Sequence, residues 1–172
     1  MKMNSLAAIA LCLVLQQPTL AEEVEARMDV KGIQLGASLA EAKALAKLTC
    51  SKDATGRFDT VCGYANSRDS TFAGHIAGAA IFGFFSDKLD SVEFNMAGGA
   101  YASVKSALDG KFGEATPAPG LEGLSMYRMN GDRGYVMYAE GHRTLVFFQA
   151  ATGVAERERR TDIAKAKLRK DM

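Results

Sequence analysis

The sequence predicts an α+β fold, a mainly antiparallel sheet with two helices on one face, in the order α-β-β-β-α-β-β-β and followed by a charged C-terminal helix. Three observations carry this expectation. Apolar residues recur at helical spacing in two stretches, about 39–49 and 101–111. Short runs rich in β-formers, bounded by turn residues, lie between and after them. The strict alternation of strand and helix that a parallel, doubly wound sheet needs is missing.

Each element has its own signal. Ser38 followed by Glu41 is a capping box, in which two side chains satisfy free amides at a helix start. Leu39, Ala42, Leu45, Ala46 and Thr49 then share one helical face, so helix 1 is expected over about 39–49. Phe58 to Tyr64 reads as a short strand and Asn66 to Thr71 as a polar loop. His75 to Phe85 is too rich in glycine and β-formers for a helix and reads as a strand centred on 78–85. Ser86-Asp87-Lys88 makes a turn into Leu89–Met96, whose alternation slips at Ser91. Tyr101, Val104, Leu108 and Phe112 set helix 2 over about 101–111, with Gly113 as its stop. Leu124–Met129 is a strand, and Asn130-Gly131 is the strongest hairpin signal in the chain. Tyr135–Ala139 and Thr144–Ala150 complete the sheet.

The ends read differently. Lys2 precedes an unbroken apolar run, Leu6–Leu15, and a polar, helix-breaking stretch that ends at Ala21. That layout is a secretory signal peptide, cleaved near Ala21, so the mature protein is expected in the periplasm or outside the cell. Residues 1–21 are then the signal, 22–155 a single α+β domain and 156–172 a charged helix on the surface. Residues 22–31 read as a frayed lead-in.

Composition narrows the function classes. Apolar residues make up 48% of the 172 and charged residues 24%, an ordinary globular balance. Twenty-one basic residues face 20 acidic ones, which argues against a polycationic nucleic-acid binder. No apolar run approaches the roughly 20 residues of a membrane-spanning helix. Cys50 and Cys62 remain after the signal is removed, and an oxidising compartment would join them in a structural disulfide.

Chemistry is harder to find. No Gly-x-Ser-x-Gly elbow and no phosphate-cradling glycine loop is present. His75 and His142 are the best candidates for an enzyme or small-ligand site, with Ser70 and Ser125 as available hydroxyls. Asp87, Asp90 and Glu93 flank a turn and read as solvated carboxylates. Met96, Met126, Met129 and Met137 read as core filling, since one Met-x-x-Met spacing on a strand splits across both faces. No cofactor or metal is expected. Tyr127, Tyr135 and Tyr138 are more informative, because tyrosines on a sheet face make partner-binding anchors. The tail from 156 to 172 carries seven basic and four acidic residues, so Arg157, Arg159, Arg160, Lys165, Lys167, Arg169 and Lys170 read as a solvated basic face.

Three segments resemble known proteins. Gly32 to Ala42, Phe84 to Val92 and Val104 to Gly113 look like the first helix start, central hairpin and second helix of small exported bacterial proteins. The tandem helix-plus-sheet order is similar to the β-lactamase-inhibitor-like fold and to small outer-membrane assembly lipoproteins of the SmpA/OmlA type. The chain departs from the lipoproteins in lacking an anchor cysteine. The resemblance implies a non-catalytic protein-binding or accessory module whose partner is another envelope protein.

Overall fold

The computed structural model describes residues 27–118, 123–139, 143–153 and 156–159, with the side chains of Tyr138 and Ala139 outside that set. The segment 1–21, expected to be a signal peptide, His142 and residues 160–172 lie outside the described residues.

A short hairpin opens the fold, β1 (Asp29–Val30) and β2 (Ile33–Gln34). Helix α1 (Leu39–Leu45) follows, capped as its sequence requires: Ser38 Oγ accepts from Glu41 N and Glu41 accepts from Ser38 N. Then come β3 (Leu48–Lys52), β4 (Thr60–Tyr64), β5 (Thr71–Phe72), β6 (His75–Phe85) and β7 (Lys88–Ala97). Helix α2 (Tyr101–Phe112) precedes β8 (Thr116–Pro117), β9 (Leu124–Met129), β10 (Asp132–Ala139) and β11 (Arg143–Gln149).

Eight strands lie side by side in the order β3-β4-β6-β7-β11-β10-β9-β8, every pairing antiparallel, and β5 pairs with β6 off that row. The first half of the chain contributes β3 to β7 and the second β8 to β11. They meet at the centre, where β7 pairs with β11 from Ala97↔Arg143 to Ser91↔Gln149. The expected α+β class is what the chain adopts.

Period-two alternation divides the sheet into two faces. On the inner face, Val92 lies opposite Phe148 and Phe94 opposite Val146, all four fully buried. One continuous core joins them to Phe82, Val136 and Tyr127, to Met28, Val30, Ile33 and Leu35 from the opening hairpin, and to Ala42 of α1 and Val104 and Leu108 of α2. Both helices therefore cover the same face. Gly113 ends α2 at φ +83°, and Asn130 and Gly131 turn β9 into β10 at φ +48° and +83°.

Two expectations along the first half of the chain need correction. Helix 1 stops at Leu45 and not at 49, and Leu48–Lys52 is a strand. The cause is non-local: Thr49 pairs with Gly63 and Cys50 with Cys62, so pairing with β4 overrides the helical spacing. Cys50 and Cys62 form the expected disulfide, directly across this strand pair. The lead-in is ordered from residue 27 onward. Arg27 donates to Asp132 through Nε at 2.9 Å and Nη2 at 2.7 Å, and Met28 is fully buried.

The slip in alternation at Ser91 is also explained. Gly83 pairs with Ser91 and Phe84 with Leu89, so Asp90 is the extra residue of a β-bulge. Asp90 is not a solvated turn residue: only 3% of it is exposed.

Candidate functional site

The outer face of the sheet is the side away from α1 and α2. There Glu93 lies opposite Phe147, Phe147 opposite Tyr135, Asn95 opposite Leu145, and Leu145 opposite Met137, which in turn meets Leu124. These residues enclose a groove of about 380 Å³ whose walls are Leu124, Tyr135, Met137, Leu145 and Phe147, bordered by Glu93 and Gln149. Tyr135 and Phe147 are half-buried, with ring centroids 6.2 Å apart. Among the described residues no helix covers this groove.

One end of the groove is built around the bulge. The Asp90 backbone carbonyl accepts from Ala150 N at 2.7 Å, and its carboxylate meets Arg157 Nη2. The guanidinium carbon of Arg157 lies 5.9 Å from the Phe58 ring centroid and 5.8 Å from that of Phe147, over the outer face. With its amide oxygen turned toward the guanidinium, Gln149 accepts from Arg157 Nη2 at 2.7 Å and from Nε at 3.2 Å. The Asp90 side chain is 2% exposed and Arg157 26%. Burial pushes the Asp90 carboxyl above the usual carboxylate range, against the opposing pull of Arg157 and Arg57. Among the described residues its second oxygen, Oδ1, is buried without a hydrogen-bond partner. The chain closes over it at 151–153, where a Cβ on Gly153 would fall 1.0 Å from that oxygen. Arg157 is therefore an internal anchor and not part of a solvated basic face. Arg159 pairs with Glu156 at 2.7 Å.

The three tyrosines separate. Tyr135 lines the groove. Tyr127 is 2% exposed and belongs to the inner core, which corrects its assignment to a partner surface. Gly134 lies opposite it on β10, where a Cβ would come within 3.2 Å of the Phe148 ring. The Tyr127 hydroxyl donates to Asp109 Oδ1 on α2 at 2.9 Å, and burial together with that carboxylate holds the phenol above its ordinary pKa. Asp109 is held below the usual carboxylate range, chiefly by Lys105. Tyr138 pairs along the backbone with Thr144, and its side chain lies outside the described residues.

Among the described residues the candidate catalytic groups do not assemble. His142 lies outside the described residues. His75 Nε2 is 2.5 Å from Ser103 Oγ, a hydroxyl on α2 that the sequence did not single out. Ser103 Oγ donates to Ala100 O at 3.0 Å. Which of Nε2 and Oγ donates across this contact is set by the imidazole tautomer. Ser70 is buried and Ser125 sits on β9. Asp87 and Asp90, one exposed and one buried, do not form a carboxylate pair across a cleft. Among the described residues no three His, Cys, Asp or Glu side chains gather as a metal site, and no helix is long and apolar enough to cross a membrane. Met96 is in the core and Met137 lines the groove.

The groove and its Asp90–Arg157 end were beyond direct sequence reading. The slip at Ser91 was the one available signal, because a bulge breaks period two at the residue it adds. No protein-family model, no curated protein and no solved structure matches this chain.

Proposed function

We propose that this is an exported, non-catalytic binding module of the cell envelope, which takes an apolar segment of another envelope protein into the groove on its outer sheet face. The observation that carries this reading is the groove itself: five apolar or aromatic side chains on three adjacent strands, outside the core. Exposed apolar concavities of this kind mark interaction sites. Tyrosine and methionine suit the centre of such a surface. The Cys50–Cys62 disulfide supports export, since such bonds persist in oxidising compartments. The signal-like segment 1–21 points the same way, as does the likeness to small exported binding proteins.

The test is crosslinking in intact cells followed by capture of the tagged protein and mass spectrometry. Tyr135→Ala with Leu145→Ala should cut recovery of the specific partner about tenfold, as loss of central anchors does. The thermal midpoint should barely move, since both side chains lie outside the core. Undiminished capture by the folded double variant removes the groove as the binding surface.

A further inference from the structure

The two edges of the sheet are finished differently. At one end β8 has two residues, and Pro117 has no N–H to offer a further strand. At the other end β3 runs for five residues without proline, and among the described residues no strand lies beyond it. Ala65 N donates to Lys47 O at 2.9 Å, so the odd-numbered residues of this ladder turn their backbone groups toward β4. Leu48, Cys50 and Lys52 turn theirs outward. The Cys50 and Cys62 Cα atoms, 4.0 Å apart, agree with that phase, because a pair that exchanges no hydrogen bonds is the closer kind. Leu48 N is taken by Ala46 O. The Leu48 carbonyl and both backbone groups of Cys50 and Lys52 therefore form an open edge, a template for another strand.

The residues of β3 select that strand and its register. Two copies of β3 related by a two-fold at Cys50 run antiparallel and set outward residues against outward residues, Cys50 against Cys50 and Leu48 against Lys52. The same register sets Lys47 of each copy opposite Asp53 of the other. Among the described residues neither has an ion-pair partner in its own chain. Asp53 is fixed as an anion. Its carboxylate accepts from Thr55 N, Thr55 Oγ1 and Phe58 N, bonds that hold it below the usual carboxylate range. A two-fold at Thr49 or Ser51 would put Ser51 or Thr55 opposite Lys47 and lose both charge pairs. Lysines on an edge ordinarily deter such pairing. Here the register gives each Lys47 an acid and keeps the two Lys52 at opposite ends of the ladder.

We propose that β3 pairs with β3 of a second copy, antiparallel about Cys50, joining two sheets edge to edge. Backbone hydrogen bonds cross the seam. Each Cys50 N–H donates to the other Cys50 carbonyl, and each Lys52 N–H donates to the other Leu48 carbonyl. The contact does not depend on the groove, whose walls lie on strands farther along the row, beyond β4 and β6.

The oxidised protein is purified as the cell makes it. Sedimentation equilibrium should give twice the chain's mass at high concentration, with dissociation on dilution. A mixture of light- and heavy-isotope chains treated with a zero-length carbodiimide should yield a Lys47–Asp53 crosslink between copies. Within one chain the two lie about 20 Å apart along an extended strand, too far for that reagent. The Cys50 and Lys52 amides should gain protection from hydrogen exchange as concentration rises. Those of Thr49 and Ser51, bonded to β4 in either state, should change little. Lys47→Glu sets like charges opposite each other at both ends of the seam and should raise the dimer dissociation constant about tenfold. Lys43→Glu, on the exposed side of α1 and with the same change in charge, should leave it where it was. A chain that stays monomeric up to about millimolar concentration overturns the proposal. So does a dimer that gives no Lys47–Asp53 crosslink, or one that Lys47→Glu and Lys43→Glu weaken equally, since it is then joined through another surface.

Discussion

Replacing Arg157 by glutamine should destabilise the fold far more at neutral pH than in acid. The variant removes the cation that faces a carboxylate only 2% exposed, while that carboxylate stays where the bulge puts it. Stranding a charge in a fully buried pair costs about 3–5 kcal/mol. Asp90 has an escape, because it can take up a proton. For an acid with an ordinary value near 3.9, protonation at pH 7 costs about 4 kcal/mol, which caps the penalty. Arg157 is itself a quarter exposed, so its pairing is partly screened and the lower part of the range applies. The expected loss is about 2–3 kcal/mol at pH 7 and under about 1 kcal/mol near pH 4. Asp90→Asn should cost about 1 kcal/mol or less, because it removes a charge that burial already disfavours. The double variant should resemble Asp90→Asn, giving a coupling of about 2 kcal/mol. The parent should follow the same logic. A carboxyl whose folded value is raised contributes stability in acid that is lost as pH rises through that value. Urea unfolding of the four proteins at pH 7 and pH 4 measures all of these terms. Additive single losses, or an Arg157→Gln penalty that does not shrink in acid, would refute the account of a carboxylate stranded in the bulge.

Other expectations follow from single contacts. Gly153→Ala places a methyl group on Asp90 Oδ1, so the 151–153 turn or the carboxylate must move; a loss of about 2 kcal/mol is expected in thermal melts. Reducing the Cys50–Cys62 bond, or replacing both cysteines by serine, should cost about 3 kcal/mol, read as a fall in the urea midpoint that dithiothreitol reproduces in the parent. Tyr127→Phe should lose about 1 kcal/mol with the hydrogen bond to Asp109 and leave partner capture unchanged, which distinguishes the core tyrosine from Tyr135 on the groove. Ser38→Ala opens the capping box of a seven-residue helix and should cost about 1 kcal/mol by urea titration.

Local signals survived the passage from sequence to structure. Ser38 and Glu41, Gly113, and Asn130-Gly131 each act through their immediate backbone, and each stands where its neighbours place it. Signals that depend on distant partners did not. The spacing of Leu45, Ala46 and Thr49 is compatible with a helix, and only β4 arriving opposite Cys50 makes it a strand. The side on which Tyr127 lies is set by β10, not by β9 itself. Met126 and Tyr127 are neighbours on opposite faces and both are buried, so β9 carries no clean alternation to read. The groove shares this difficulty, because its walls come from three strands and its Arg157 end from a turn beyond them. Asp90 looked like a turn residue, being two positions past Lys88, and a bulge turned it inward.

The central pairing of β7 with β11 has a consequence for how the protein is made. Within each half, neighbouring strands are close in sequence, as in β6–β7 and β9–β10–β11, and such hairpins close quickly. The seam from Ala97↔Arg143 to Ser91↔Gln149 joins residues some fifty positions apart, so its loop closure comes late. Until then both β7 and β11 present open edges flanked by Phe94, Val146 and Phe148, side chains that the finished core hides completely. A chain held at that stage can add another copy's strand in place of its own. Folding yield should therefore fall with chain concentration, and substitutions along the seam should lower yield more than they lower the stability of molecules that have folded.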